Sequence, residues 1–166
     1  MERCATVMPM AACGVHLPEG TEAMAIRQAR PSDAAAMHRV RMSVRENALV
    51  SIQLSERDYV VAIEETGRGW VVEQQGNIVA FAIGNALDGS IWALFVEPGH
   101  DRNGYGRRLH DAMVAWLWQQ GHEKLWLTTE PGTRAERFYR KAGWQQVGVT
   151  SRGELRFELA PPDSTV

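Results

Sequence analysis

The chemistry of this chain starts in the stretch His100-Asp101-Arg102-Asn103-Gly104-Tyr105-Gly106-Arg107-Arg108-Leu109. Gly104 and Gly106 remove side chains where backbone N–H groups can face outward, and Arg102, Arg107 and Arg108 put positive charge around them. Glycines at the start of a helix, whose first amides carry partial positive charge, suit an anion, above all a phosphate. The flanks support this. The apolar run Ile91-Trp92-Ala93-Leu94-Phe95-Val96 has the length of a buried strand. On the other side Leu109, Ala112, Met113, Trp116 and Leu117 recur at helical spacing, which predicts a helix over 105–120 ending at Gly121.

Several readings of that turn compete. A P-loop needs a lysine followed by serine or threonine after its second glycine, and none is present. A dinucleotide fingerprint needs a third glycine where Leu109 stands, and an acidic ribose ligand on a following parallel strand. A coenzyme A pyrophosphate cradle asks only for glycines before the helix and flanking basic residues. A tight strand-to-helix turn with solvated arginines asks for less still.

The elements around the turn follow from periodicity. Residues 25–29 alternate and stop at Pro31, as an edge strand would. Ser32 as N-cap and Asp33 in the first turn predict a helix to about Arg45 that buries Met37, Val40, the stem of Arg41 and Val44. After a break over 47–51, Ser55 and Asp58 form a capping box for a helix burying Tyr59, Val60 and Ile63, with Gly67 and Gly69 ending it. Strands over 70–73 and 78–83 make a hairpin, and Asp88-Gly89 turns into the strand 91–97. Strand, helix and then Leu125-Trp126-Leu127-Thr128 form a βαβ unit, so strands 91–97 and 125–129 should be parallel. Thr133 and Glu136 open a short helix burying Ala135, Phe138, Tyr139 and Ala142, and a hairpin over 145–149 and 154–159 closes the domain.

Composition bounds the rest. A chain of 166 residues with 45% hydrophobic and 23% charged residues fits one globular domain, placed at 25–159. Residues 1–24 read as a loose extension and 160–166 as a loose tail. A net charge of −2 argues against a nucleic-acid partner. No apolar stretch approaches the roughly 20 residues that span a bilayer, so the expectation is a soluble, cytoplasmic protein with no membrane partner. Cys4, Cys13 and His16 lack a fourth ligand, so no metal is expected.

Two segments together resemble a known family, the GNAT superfamily of acyl-CoA-dependent N-acetyltransferases. Its first signature, Gln/Arg-x-x-Gly-x-Gly/Ala, is matched by Asp101-Arg102-Asn103-Gly104-Tyr105-Gly106. Its second, Asn-x-x-Ala-x-x-Phe/Leu-Tyr-x-x-x-Gly-Phe, is matched from Gly132 through Ala135, Phe138, Tyr139 and Gly143 to Trp144. Asp101 stands in place of Gln/Arg, a role Arg102 could take over, and Gly132 in place of Asn. The resemblance covers residues 25–159 and implies an α+β fold: a mixed, mostly antiparallel sheet with helices on both faces, whose one parallel βαβ pair splays around the cofactor.

The resemblance also implies the chemistry. Acetyl-CoA would be the acyl donor, as a substrate, with no metal needed. Arg102, Asn103, Gly104, Tyr105, Gly106 and Arg107 would hold its pyrophosphate, and Phe95 and Val96 its pantetheine arm. Tyr139 matches the general acid beside the departing thiolate, and an unidentified primary amine would attack directly in a ternary complex. An alkyl amine with a pKa near 10.4 costs about 4.6 kcal/mol to deprotonate at pH 7, so a base is expected. Glu97 leads the candidates, ahead of Glu46, Glu130 and Asp88, with His100 read as a surface histidine. Arg41, Arg45 and Glu46 would line the acceptor side, and Trp118, off the buried helix stripe, could mark a homodimer contact. The alternative function is a silent acyl-CoA-binding sensor.

Overall fold

The computed structural model describes residues 25–44 and 53–163. The expected extension over 1–24 with Cys4, Cys13 and His16, the residues Arg45 and Glu46, the break at 47–51, and the last three residues of the tail lie outside the described residues. In chain order the elements are β1 (Ala25–Gln28), a 3-10 turn (Pro31–Asp33), α1 (Ala34–Ser43), α2 (Glu56–Glu64), β2 (Gly67–Gln74), β3 (Asn77–Asn85), β4 (Ile91–Val96), α3 (Tyr105–Gln119), β5 (Leu125–Thr129), α4 (Arg134–Lys141), β6 (Gln145–Val149) and β7 (Leu155–Leu159).

The strands form two antiparallel sheets, ordered β1-β2-β3-β4 and β5-β7-β6. Side chains alternate across the first sheet. Val71, Phe81, Ile83 and Ala93 pack against α1 and α2, whereas Val72, Ala80 and Ala82 pack against α3. Helices therefore cover both faces, and β3 reads as a continuous buried run from Ile78 to Gly84. Leu109, Met113 and Leu117 are fully buried, at roughly 1.5–3 kcal/mol each.

The helix starting near Ser32 begins differently from expectation. Asp33 turns its carboxylate back to the Arg30 N–H at 2.8 Å, making a 3-10 turn before α1 begins at Ala34. Gly67 and Gly69 lie inside β2, because α2 has already stopped at Glu64, where the N–H groups of Glu65 and Thr66 both bond the Val61 carbonyl. A Cβ on Gly67 would lie 1.9 Å from the Gly84 carbonyl oxygen, so glycine there permits a close strand approach. The buried face of α3 is also wider than its apolar stripe: His110 and Val114 are buried, while Ala112 and Trp116 are half-buried.

β4 and β5 run parallel as expected, but they touch through one bridge, Ser90 to Trp126. There the Trp126 N–H bonds the Gly89 carbonyl at 3.1 Å and the indole N–H bonds the Asp88 carbonyl at 3.1 Å. On its other edge β5 pairs antiparallel with β7 over its whole length, and beyond the bridge its edge toward β4 is unpaired among the described residues. The strands separate, and a cleft opens. Trp118 packs half-buried against the core cluster around α3.

Candidate active site

The cleft holds about 590 Å³. Leu94, Phe95 and Val96 of β4 form one wall, Ala135, Phe138 and Tyr139 of α4 the other, and Gly106 of α3 closes one end. Register fixes which β4 groups are available. The Glu97 N–H bonds the Val79 carbonyl at 2.8 Å, and Phe95 is the register partner of Phe81. In an antiparallel ladder such hydrogen-bonded pairs alternate with pairs whose groups point away. The N–H and C=O of Leu94 and Val96 therefore face the gap toward β5, and Phe95 contributes its side chain to the cleft.

At the closed end, Gly104 caps α3 with φ +73°, a left-handed conformation in which glycine carries no Cβ penalty. The first helical bond runs from the Arg108 N–H to the Gly104 carbonyl at 3.2 Å. The N–H groups of Gly104, Tyr105, Gly106 and Arg107 precede it, and no side chain caps them. A Cβ on Gly106 would lie 3.5 Å from the Phe138 ring and 3.6 Å from Val96, so the glycine keeps this corner open. Of Gly104 to Arg107, Gly106 lines the cleft, and uncapped helix-start amides suit an anion.

The side chains around the turn are less uniform than its sequence suggests. The Tyr105 ring is buried in the core, leaving only its amide for a ligand. The Arg107 guanidinium runs along α3 to Asp111 at 3.0 Å. Arg102 and Asn103 are exposed. Asp101 and Arg134, which both line the cleft, form an ion pair across its mouth, and the Arg134 hydrogen bond holds the Asp101 carboxyl below its ordinary pKa.

Tyr139 is 6% exposed, and its hydroxyl has no hydrogen-bond partner among the described residues. Burial alone pushes its pKa upward, so the phenol stays protonated and available as a donor. The base candidates separate. The Asp88 carboxylate accepts from the Ser90 N–H at 3.0 Å and the Ser90 hydroxyl at 2.6 Å, which ties it to its turn. Glu130 is exposed, beside the N-cap of α4. Glu97 sits between the cleft residues Val96 and Pro98, with its carboxylate 3.7 Å from His100 Nε2. Arg41 lies behind the β4 wall, its guanidinium 5.0 Å from the Phe95 ring centroid and 5.3 Å from that of Trp92, and burial lowers its pKa. Ser43 and Val44, at the end of α1, line the cleft in its place.

Among the described residues no group of His, Cys, Asp and Glu could hold a metal ion, and no helix is long and apolar enough to cross a membrane.

The profile of the Acetyltransferase (GNAT) family matches residues 33–144. A [ribosomal protein bS18]-alanine N-acetyltransferase of Haemophilus ducreyi is 32% identical over 79 residues, which span 46% of this chain and 54% of that protein. The chain thus spans about half the length of this curated relative. Among solved structures, the ribosomal-protein-S18-alanine N-acetyltransferase of Escherichia coli has a TM-score of 0.65 at 20% identity, covering 86% of this chain and 98% of its own. The PaiA N-acetyltransferase of Thermoplasma acidophilum, solved in complex with coenzyme A, has a TM-score of 0.71 at 13% identity, covering 83% and 99%. At these identities the structural likenesses speak for the fold.

Proposed function

The chain belongs to the acetyltransferase (GNAT) family, and from that premise we propose that it moves an acetyl group from acetyl-CoA to a primary amine by direct attack in a ternary complex. The observation that carries this is the placement of Tyr139. Its hydroxyl has no hydrogen-bond partner among the described residues, and Tyr139 lines the same cleft as Gly106, in the run of uncapped amides from Gly104 to Arg107.

The donor's pyrophosphate rests on those amides, with Arg102 and Asn103 at the rim. The helix-start charge contributes about 0.3–1 kcal/mol per anionic charge where exposed and up to about 2 kcal/mol where partly buried. From there the pantetheine arm runs back along β4, using the edge-facing backbone of Val96 beside the Phe95 side chain. The Leu94 N–H is the donor for the thioester oxygen as it becomes an oxyanion. The amine nitrogen attacks the carbonyl carbon, the tetrahedral intermediate collapses, and the C–S bond breaks with its electrons on sulfur. Tyr139 donates a hydrogen bond to that sulfur. A phenol near 10 against a thiol near 8.5 already makes full transfer uphill by roughly 2 kcal/mol, and burial of Tyr139 raises the difference. The hydrogen bond therefore strengthens as charge develops, and any proton transfer comes late.

The amine's proton leaves through water to Glu97. An N-terminal α-amine, with a pKa near 8, costs only about 1 kcal/mol to deprotonate at pH 7, against about 4.6 for an alkyl amine. That difference, together with the alanine acceptor in the name of the Haemophilus ducreyi relative, makes a peptide with an N-terminal alanine the first acceptor to try. The test is release of free CoA thiol across a panel of such peptides, polyamines and other small amines. Binding of acetyl-CoA without turnover on any of them would favour a sensor instead, and no binding of acetyl-CoA or CoA would end the proposal.

A further inference from the structure

α3 and α4 are joined through a histidine that no step above uses. His110 is 3% exposed. Its Nε2 accepts the Trp144 indole N–H at 2.9 Å, and its Nδ1 lies 2.9 Å from Asp111 Oδ1. An indole N–H can only donate, so Nε2 carries a bare lone pair and the ring proton sits on Nδ1, donated to Asp111. The ring is neutral and in one tautomer. Around it, Phe138 stands edge-on at 5.7 Å between centroids, Trp144 edge-on at 6.1 Å and Tyr139 tilted at 6.5 Å. Trp144 also packs edge-on to Tyr139 at 5.6 Å, and its backbone N–H bonds the Tyr139 carbonyl at 3.0 Å. The Tyr139 ring is thus enclosed by three rings, and the His110–Trp144 hydrogen bond is the polar tie that fixes two of them to each other.

We propose that His110 is a positioning residue for Tyr139: as the neutral Nδ1–H imidazole it holds Trp144 in place, and Trp144 holds the Tyr139 ring so that its hydroxyl serves the cleft. Adding a proton at Nε2 would set two N–H donors against each other and release Trp144. The charged and titratable groups around the ring can be named. On α3, Asp111 favours the protonated ring, while Arg107, which shares the same Asp111 oxygen, disfavours it. On α4 the titratable neighbour is Tyr139, which stays uncharged. Burial is the largest influence and lowers the His110 pKa below 6.5, so the uncoupling belongs on the acid side of neutrality. Only the activity arm of the test rests on the acetyltransferase reading.

In the wild-type chain at pH 7.5, 15N NMR of the imidazole should show Nε2 unprotonated, and on acidification the Tyr139 ring resonances should shift with the His110 titration. A proton on Nε2 at pH 7.5, or Tyr139 resonances indifferent to that titration, would overturn the proposal whether or not the chain turns over any amine. With an acceptor in hand, His110→Phe should lower kcat by roughly tenfold or more, leave the donor KM unchanged and remove the acid inflection from the kcat profile. Trp144→Phe should likewise lower kcat and lose the inflection, because protonating His110 then displaces no indole, while the ring's own titration, followed by NMR, moves up because the bond that opposes protonation is gone. An acid inflection that survives His110→Phe at the same pH would exclude the role. Absence of turnover on every amine would defeat the acetyltransferase reading and leave the NMR arm to decide.

Discussion

The Asp101 carboxylate and the Arg134 guanidinium meet across the mouth of the cleft, one from the turn before α3 and the other from the first turn of α4. Asp101 occupies the position at which the first family signature has Gln or Arg, and a cation faces it from the opposite wall. A diphosphate bound on the nearby amides meets a neutral pair rather than a lone carboxylate. Arg134→Ala should therefore weaken coenzyme A binding, by roughly tenfold at low salt, and Asp101→Asn should tighten it. Isothermal titration at two ionic strengths checks both signs. S-acetylpantetheine, which lacks the diphosphate, should be indifferent to either change. Equal effects on both donors would mean that the pair shapes the cleft without acting on the phosphates.

Tyr139→Phe removes the hydroxyl and leaves the ring cluster in place. It should lower kcat by about a hundredfold or more while coenzyme A affinity changes little. Because burial raises the Tyr139 pKa, the wild-type profile should show no fall from tyrosine ionisation up to about pH 9.5. An alkaline limb that disappears in Tyr139→Phe would show the phenol ionising in that range, against the environment described.

Stability has its own charged anchor, away from the cleft. Asp33 is 7% exposed and accepts from Arg27 at 2.7 and 2.9 Å and from the Arg30 N–H at 2.8 Å. Arg27 also pairs with Glu73 of β2, so the contact pins the start of α1 to the sheet edge. Asp33→Asn should destabilise the fold by about 2 kcal/mol at pH 7. The Arg27 hydrogen bonds lead in depressing the Asp33 pKa, against desolvation. A depressed carboxyl stabilises fully above its unfolded value, near 3.9, and loses that contribution as pH falls through the folded value. Urea unfolding should thus show a constant gap between wild type and variant from pH 6 to 8, shrinking below about pH 4. A gap that persists unchanged at pH 3 would assign the loss to packing.

Much of this was readable from local sequence. The helix starting at Tyr105 and the N-cap at Thr133 are short-range features and both appear, with the Thr133 hydroxyl accepting the Glu136 N–H, although the Glu136 carboxylate completes no reciprocal box and accepts the Gly132 N–H instead. The separation of β4 from β5 was expected only through the family resemblance, because nothing in the sequence of either strand marks where pairing along their shared edge stops after the Ser90–Trp126 bridge. Tyr139 was legible from the second signature, but its isolation from polar partners was not. His110 fell off the apolar stripe of its helix, and its partner Trp144 lies 34 residues away. Nothing in the spacing pairs them until α4 is packed on α3. Arg134 lies in the first turn of α4, where nothing in the local sequence points to a partner across the cleft. The glycines at 67 and 69 misled, since a helix stop and a close strand contact both favour glycine.

Glu97 offers the last prediction. Its backbone is fixed by the bond from its N–H to Val79, and its carboxylate points toward His100 rather than among the groups lining the cleft. As the proposed base it must act through water, and its effect should scale with how hard the acceptor is to deprotonate. Glu97→Gln should leave coenzyme A affinity unchanged and lower kcat/KM for an alkyl amine by about a hundredfold at pH 7. The deficit should be smaller for a peptide α-amine, whose neutral form costs about 1 rather than 4.6 kcal/mol. It should close as the pH rises toward the amine's own pKa, because the substrate then arrives neutral. Rates measured from pH 6.5 to 9.5 with both acceptors decide this. A deficit equal for the two amines and constant with pH would remove Glu97 as the proton acceptor and leave it the partner of His100 at the end of β4.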